Sequence, residues 1–115
     1  MFDNLEKKVE DSVVLSVANA YTRQYYLNER FLGLPQAVRE EIQIMCVTFT
    51  EEIGGILILY FDEDGELLIE TRTDEEDILY DEIGSRLKVK QMLDNHRDLF
   101  ESLELYYKTF DWKNM

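Results

Sequence analysis

Residues 54–73 read GGILILYFDEDGELLIETRT, and this stretch decides what the rest of the chain has to do. Two glycines precede an apolar run, an acidic turn Asp62-Glu63-Asp64-Gly65 follows, and a second apolar-polar run completes a β-hairpin. The strands are expected at about 55–61 and 66–73. The first is apolar on both faces, which implies burial on both sides. The second alternates, with Leu67 and Ile69 on one face and Leu68, Glu70 and Arg72 on the other, as an edge strand does. A lone two-stranded hairpin is marginal in water. It must be covered by helices, extended by a third strand, or completed by a second copy of the chain.

The flanks carry helical spacing. Val13, Val17, Ala20, Leu27 and Phe31 form a stripe that predicts a long first helix over 12–31, capped by Asp11 or Ser12. Gly33-Leu34-Pro35 is a break, with proline at the first position of a second helix. Val38, Ile42, Met45, Phe49 and Ile53 place that helix over 35–53, and Gly54 suits a left-handed cap. The β-branched content of Ile42–Thr50 supports the competing reading, a strand that would make the hairpin a three-stranded meander. Thr73 and Glu76 match a capping box for a helix that starts there. Leu79, Ile83 and Leu87 recur every four residues, and from Val89 a second stripe runs through Met92, His96, Leu99, Leu103, Tyr106 and Phe110. The change of phase near Gly84-Ser85 predicts a break, a kink or two helices. The expected fold is α+β in one domain over 1–115: long N-terminal helix, second helix, β-hairpin (or three-stranded meander), and a helical C-terminal half. The first and last helices would pack together.

The chain has 115 residues, 25 acidic and 12 basic side chains, and a net charge of −13. A field of that sign repels phosphate backbones and anionic membranes and suits a basic protein partner. The apolar and aromatic content is too high for a disordered acidic tail. One cysteine excludes an intramolecular disulfide. The N-terminus MFDNLEKKVEDS lacks an apolar signal core, and the longest apolar run is far too short to span a bilayer. A cytoplasmic location is the expectation.

Chemistry is sparse. A single histidine and a single cysteine cannot form a His-rich or thiolate metal site. His96 lies on the apolar stripe and reads as a partly buried residue with one local hydrogen bond. An EF-hand register on Asp64-Gly65 puts Tyr60 and Thr71 where carboxylates belong. Glu51 to Leu57 resembles the opening of JAB/MPN metalloproteases, but Leu59 stands in place of a glycine and the zinc-binding His-x-His is missing, so a zinc peptidase is untenable. Cys46 sits among apolar neighbours and reads as a core residue. No phosphate loop or nucleophile elbow is present. No cofactor, metal or catalytic residue is assigned. Among the aromatics, Tyr21 and Tyr106 are expected in the core, and Tyr26, Tyr107 and Trp112 are the candidate interface residues.

Cys46 to Leu67, Leu79 to Lys90 and the ELYYKTF end at Glu104 to Phe110 resemble segments of a family of small, acidic, uncharacterised proteins of Firmicutes, a domain of unknown function. That resemblance implies a bacterial cytoplasmic protein and brings no catalytic residues.

The first functional expectation is a non-enzymatic protein-interaction or regulatory module. It would be a homodimer joined through strand edges or long helices, and it would bind a basic protein. A mimic of nucleic acid is a variant of that reading. The alternative is a small-molecule-binding domain with an apolar pocket between hairpin and helices. An enzyme built on carboxylates or on Cys46 and His96 comes last.

Overall fold

The computed structural model describes residues 12–110. In place of the long first helix, the chain opens with strands β1 (Val13–Asn19) and β2 (Gln24–Leu27) and a short 3-10 turn at Glu29–Phe31. Helix α1 (Gln36–Ile53), strands β3 (Ile56–Phe61) and β4 (Leu67–Arg72), and helices α2 (Glu82–Asn95) and α3 (Arg97–Phe110) follow. The strands form one antiparallel sheet in the order β2-β1-β3-β4. The chain is therefore α+β, but the expected arrangement is overturned. A strand comes first, the sheet has four strands, and residues 42–50 belong to α1 rather than to a meander. The 54–73 hairpin is extended by β1 on its β3 side, which leaves β4 at the edge.

The reason β1 resembled a helix lies in its bulge. Val14 pairs with Tyr60 and Ser16 with Leu59, so Leu15 is an extra residue. The bulge turns Leu15 and Ser16 to the same side, where Leu15 joins the main core and Ser16 meets α1. Val14 and Val17 fall on the opposite face with Ile56, Ile58 and Tyr60. Strict alternation is lost, and Val13 and Val17 are left at a spacing that imitates a helix. The turn between β1 and β2 has no glycine or proline. Asn19 Oδ1 instead accepts the N–H groups of Tyr21 and Thr22 at 2.9 and 3.3 Å, and Arg23 takes a positive φ of 55°, a conformation few non-glycine residues adopt.

Helix α1 behaves as its spacing predicts. Ile42, Met45, Cys46, Phe49 and Thr50 are buried, the 3.6-residue stripe of a helix against a sheet. Pro35 precedes its first turn, and its carbonyl accepts the Val38 and Arg39 N–H groups. Gly54 ends it, its N–H donating to Thr50 O, with φ 89° and ψ −167°. That is extended backbone on the positive-φ side, not the left-handed helical cap expected, and it suits only glycine.

Helix α3 closes the core. Leu99, Phe100, Leu103 and Tyr107 are buried. Tyr107 stacks on Phe61 with ring centroids 4.2 Å apart and planes 4° from parallel, and Phe31 lies 5.6 Å from Phe61. Pairs of this kind add about 0.5–1.5 kcal/mol beyond their area. Glu104 of α3 also accepts the Leu67 N–H at 2.8 Å. This N–H points away from β3, so Glu104 occupies one donor on the free edge of β4.

Candidate interaction surface

The residues that could carry chemistry are held in quiet positions. Cys46 is fully buried, with its sulfur 3.7 Å from Ser16 Oγ. Burial pushes its thiol up to about 12, and the Ser16 hydroxyl offsets only part of that rise. A nucleophilic thiolate needs the opposite shift. Tyr25 Oη is closed to solvent without a hydrogen-bond partner among the described residues. Burial and the nearby Cys46 raise its pKa; Ser16 lies close enough to offset part of that rise but outside hydrogen-bonding geometry. His96 caps the end of α2, and its Nδ1 lies 2.9 Å from Met92 O. It lines a groove of about 250 Å³ between α1 and α2 with Ile44, Phe49 and Lys88, and Cys46 does not line that groove. In the acidic turn, Asp62 Oδ1 accepts the Asp64 and Glu66 N–H groups, both at 2.9 Å, so this carboxylate serves the turn. Among the described residues no group of three or more His, Cys, Asp or Glu could hold a metal.

A larger cleft of about 710 Å³ lies between the β1–β2 turn and α1. Arg23, Gln24, Gln43, Thr50 and Glu51 are among its lining residues. It is more polar than the apolar pocket expected between hairpin and helices.

The most exposed large apolar side chains lie between residues 78 and 87. Residues 73–81 do not form the helix that the Thr73 capping box predicts. Asp74 Oδ1 accepts the Glu76 N–H and Asp74 O accepts the Asp77 N–H, so the acidic run folds into turns of its own. Tyr21, expected in the core, is exposed and holds this segment instead. Its hydroxyl donates to Asp77 Oδ2 at 2.6 Å and accepts the Asp74 N–H at 3.0 Å. Partial burial and the carboxylate acceptor both raise its pKa, with burial the larger cause.

Tyr80 turns inward. A Cβ at Gly55 would lie 2.9 Å from both Tyr80 Cε1 and Arg72 O, at a φ of 73°, so only glycine admits this ring. The Tyr80 hydroxyl and Ser85 Oγ are 2.7 Å apart. Asp81 then caps α2, its Oδ1 accepting the Gly84 N–H at 2.9 Å. With Tyr80 held down on one side, Ile78 and Leu79 project on the other and are 88% and 90% exposed. Ile83 and Leu87 continue outward along α2 at 74% and 59%, one turn apart on the same face. The phase change near Gly84-Ser85 is therefore no break. Helix α2 runs through it with two apolar faces, Val89 and Met92 toward the core and Ile83 and Leu87 away from it. The true break falls at Asn95–Arg97, between α2 and α3.

The candidate interface residues separate. Tyr26 is exposed on edge strand β2. Tyr107 is buried in the aromatic stack and is corrected to a core residue. Tyr106, expected in the core, is half-buried against it. Trp112 lies outside the described residues. Sequence reasoning had the Leu79, Ile83 and Leu87 spacing but no sign that it faced outward.

Among the described residues no helix is long and apolar enough to cross a membrane. Residues 12–114 match the model of a family described as a family of unknown function (DUF6145). No curated protein and no solved structure matches the chain.

Proposed function

The chain belongs to the DUF6145 family, and we propose that it is a non-enzymatic protein-interaction module. The observation that carries this reading is the outward stripe of Ile78, Leu79, Ile83 and Leu87. Single exposed apolar residues need no explanation, but four large ones between residues 78 and 87, two of them on one helix face, support a contact surface. Hydrogen bonds of Tyr21, Tyr80 and Asp81 anchor the segment that leads into α2, which supports a lower ordering cost on binding. The buried, high-pKa state of Cys46 supports the absence of thiol catalysis.

The test is Leu79→Ser/Ile83→Ser/Leu87→Ser compared with wild type by quantitative cross-linking in cells. A complex present with wild type and lost with a folded triple variant supports the module. Identical cross-linked sets would sink it. Self-association through strand edges is a weaker form of the reading, because β2 has only four residues and Glu104 already occupies an edge donor of β4.

The second reading, a small-molecule binder, draws on the polar 710 Å³ cleft beside Arg23 and Gln43. Its sign would be an added mass in native mass spectrometry that disappears on denaturation.

A further inference from the structure

We infer that the exposed stripe of Leu79, Ile83 and Leu87 docks a basic, leucine-bearing amphipathic helix of another protein, and not a second copy of this chain. This rests on the interaction reading and names the partner's chemistry. Ile83 and Leu87 lie one helical turn apart on α2, the spacing an amphipathic helix presents along its own apolar face, and Leu79 is exposed in the turn just before the helix. Around its start lie Asp74, Glu75, Glu76, Asp77, Asp81 and Glu82, with no lysine or arginine between residues 73 and 85. A second copy docked with α2 antiparallel would set Arg86 and Lys90 against this rim, but it brings the same excess of carboxylates, and like charges at an interface oppose pairing. The net charge of −13 adds to that repulsion. A lysine-rich partner converts the same rim into attraction, faster encounter and register. Polarity along the stripe also sets direction. Arg86 and Lys90 lie further along α2, so the partner's basic end meets the 74–82 segment and its less basic end lies toward Lys90.

The carboxylates fall into two groups with different duties. Asp77 accepts from Tyr21, and Asp81 caps α2. Glu75 and Glu82 are exposed, which leaves them to act on a partner.

The probe is a lysine-rich amphipathic helical peptide with leucines on one face, alongside a twin in which every lysine is glutamate. Both are titrated against the full chain by fluorescence anisotropy at low and at physiological salt, with sedimentation of the chain alone in parallel. The expected result is binding of the lysine peptide at least about tenfold tighter than its twin, weakening with salt as exposed charge interactions do. Ile83→Asp/Leu87→Asp should abolish binding, and Glu75→Lys/Glu82→Lys should remove the preference for lysine. Equal binding of the two peptides, no binding of either, or binding unaffected by Ile83→Asp/Leu87→Asp overturns the proposal. A wild-type dimer that Ile83→Asp/Leu87→Asp dissociates also overturns it, while leaving an interaction role intact. A monomer that binds neither peptide and loses no cellular complex in the Leu79→Ser/Ile83→Ser/Leu87→Ser variant sinks both readings.

Discussion

Helices α2 and α3 are neighbours of equal length, 14 residues each, yet they spend their apolar residues differently. Helix α3 turns Leu99, Phe100, Leu103 and Tyr107 into the core. Helix α2 buries only Ser85 and Met92, with Val89 packed at the edge, and leaves Ile83 and Leu87 in solvent. Helix α3 also leaves Leu105 and Phe110 exposed, but Phe110 lies against Tyr106 and the buried side carries four large groups. Helix α2 buries far less. The difference separates side chains that pack into the fold from side chains left in solvent.

The largest test of the contrast is on the α3 side. Leu103→Ala and Tyr107→Ala remove fully packed groups, and each should lower unfolding free energy by about 2–5 kcal/mol, read by urea denaturation. If either costs under about 1 kcal/mol, α3 does not close the core as described.

The next effect is a pH dependence. Cys46 is pushed up to about 12 by burial, and Tyr25 is also raised. Raised acids contribute stability that is complete below their unfolded pKa values and is lost as pH climbs toward the folded ones. For Cys46 that window runs from about pH 9 to 12, so stability should hold near neutrality and fall above about pH 9. Cys46→Ala should flatten part of the alkaline fall measured by urea midpoints, and an unchanged slope would contradict the buried thiol.

Smaller still, Glu104→Ala should cost about 1 kcal/mol by stranding the Leu67 N–H, seen as faster amide exchange at Leu67. Tyr21→Phe should cost less than about 1 kcal/mol, because the hydrogen bonds it removes are exposed. It should nevertheless speed exchange at Asp74 selectively. Uniform exchange across the chain would mean that Tyr21 does not hold the acidic segment.

Some of this was legible in the residues. The β3–β4 hairpin is bounded by glycines and a carboxylate turn, and α1 has an unbroken stripe from Ile42 to Phe49 between Pro35 and Gly54. Both were readable because local chemistry and packing agree there. The β1–β2 hairpin was not. Its bulge at Leu15 destroys alternation, and its turn depends on Asn19 and a strained Arg23 with no glycine to mark it. The Thr73 capping box failed because Tyr21, distant in sequence, holds Asp74 and Asp77 in turns, and Asp81 caps the helix later. Spacing marked Leu79, Ile83 and Leu87 as a stripe. Spacing cannot say which side of a helix faces its own core when both sides are apolar, and the aromatic candidates erred for the same reason at Tyr107.

The exposed apolar side chains at Leu79, Ile83 and Leu87 contribute nothing to the fold. Urea unfolding of Leu79→Ser/Ile83→Ser/Leu87→Ser tests this most directly. The expected unfolding free energy is within about 0.5 kcal/mol of wild type with the same denaturant slope, as for surface substitutions. A loss of about 2 kcal/mol or more would place these residues in a core of this chain and remove the basis for a docking surface.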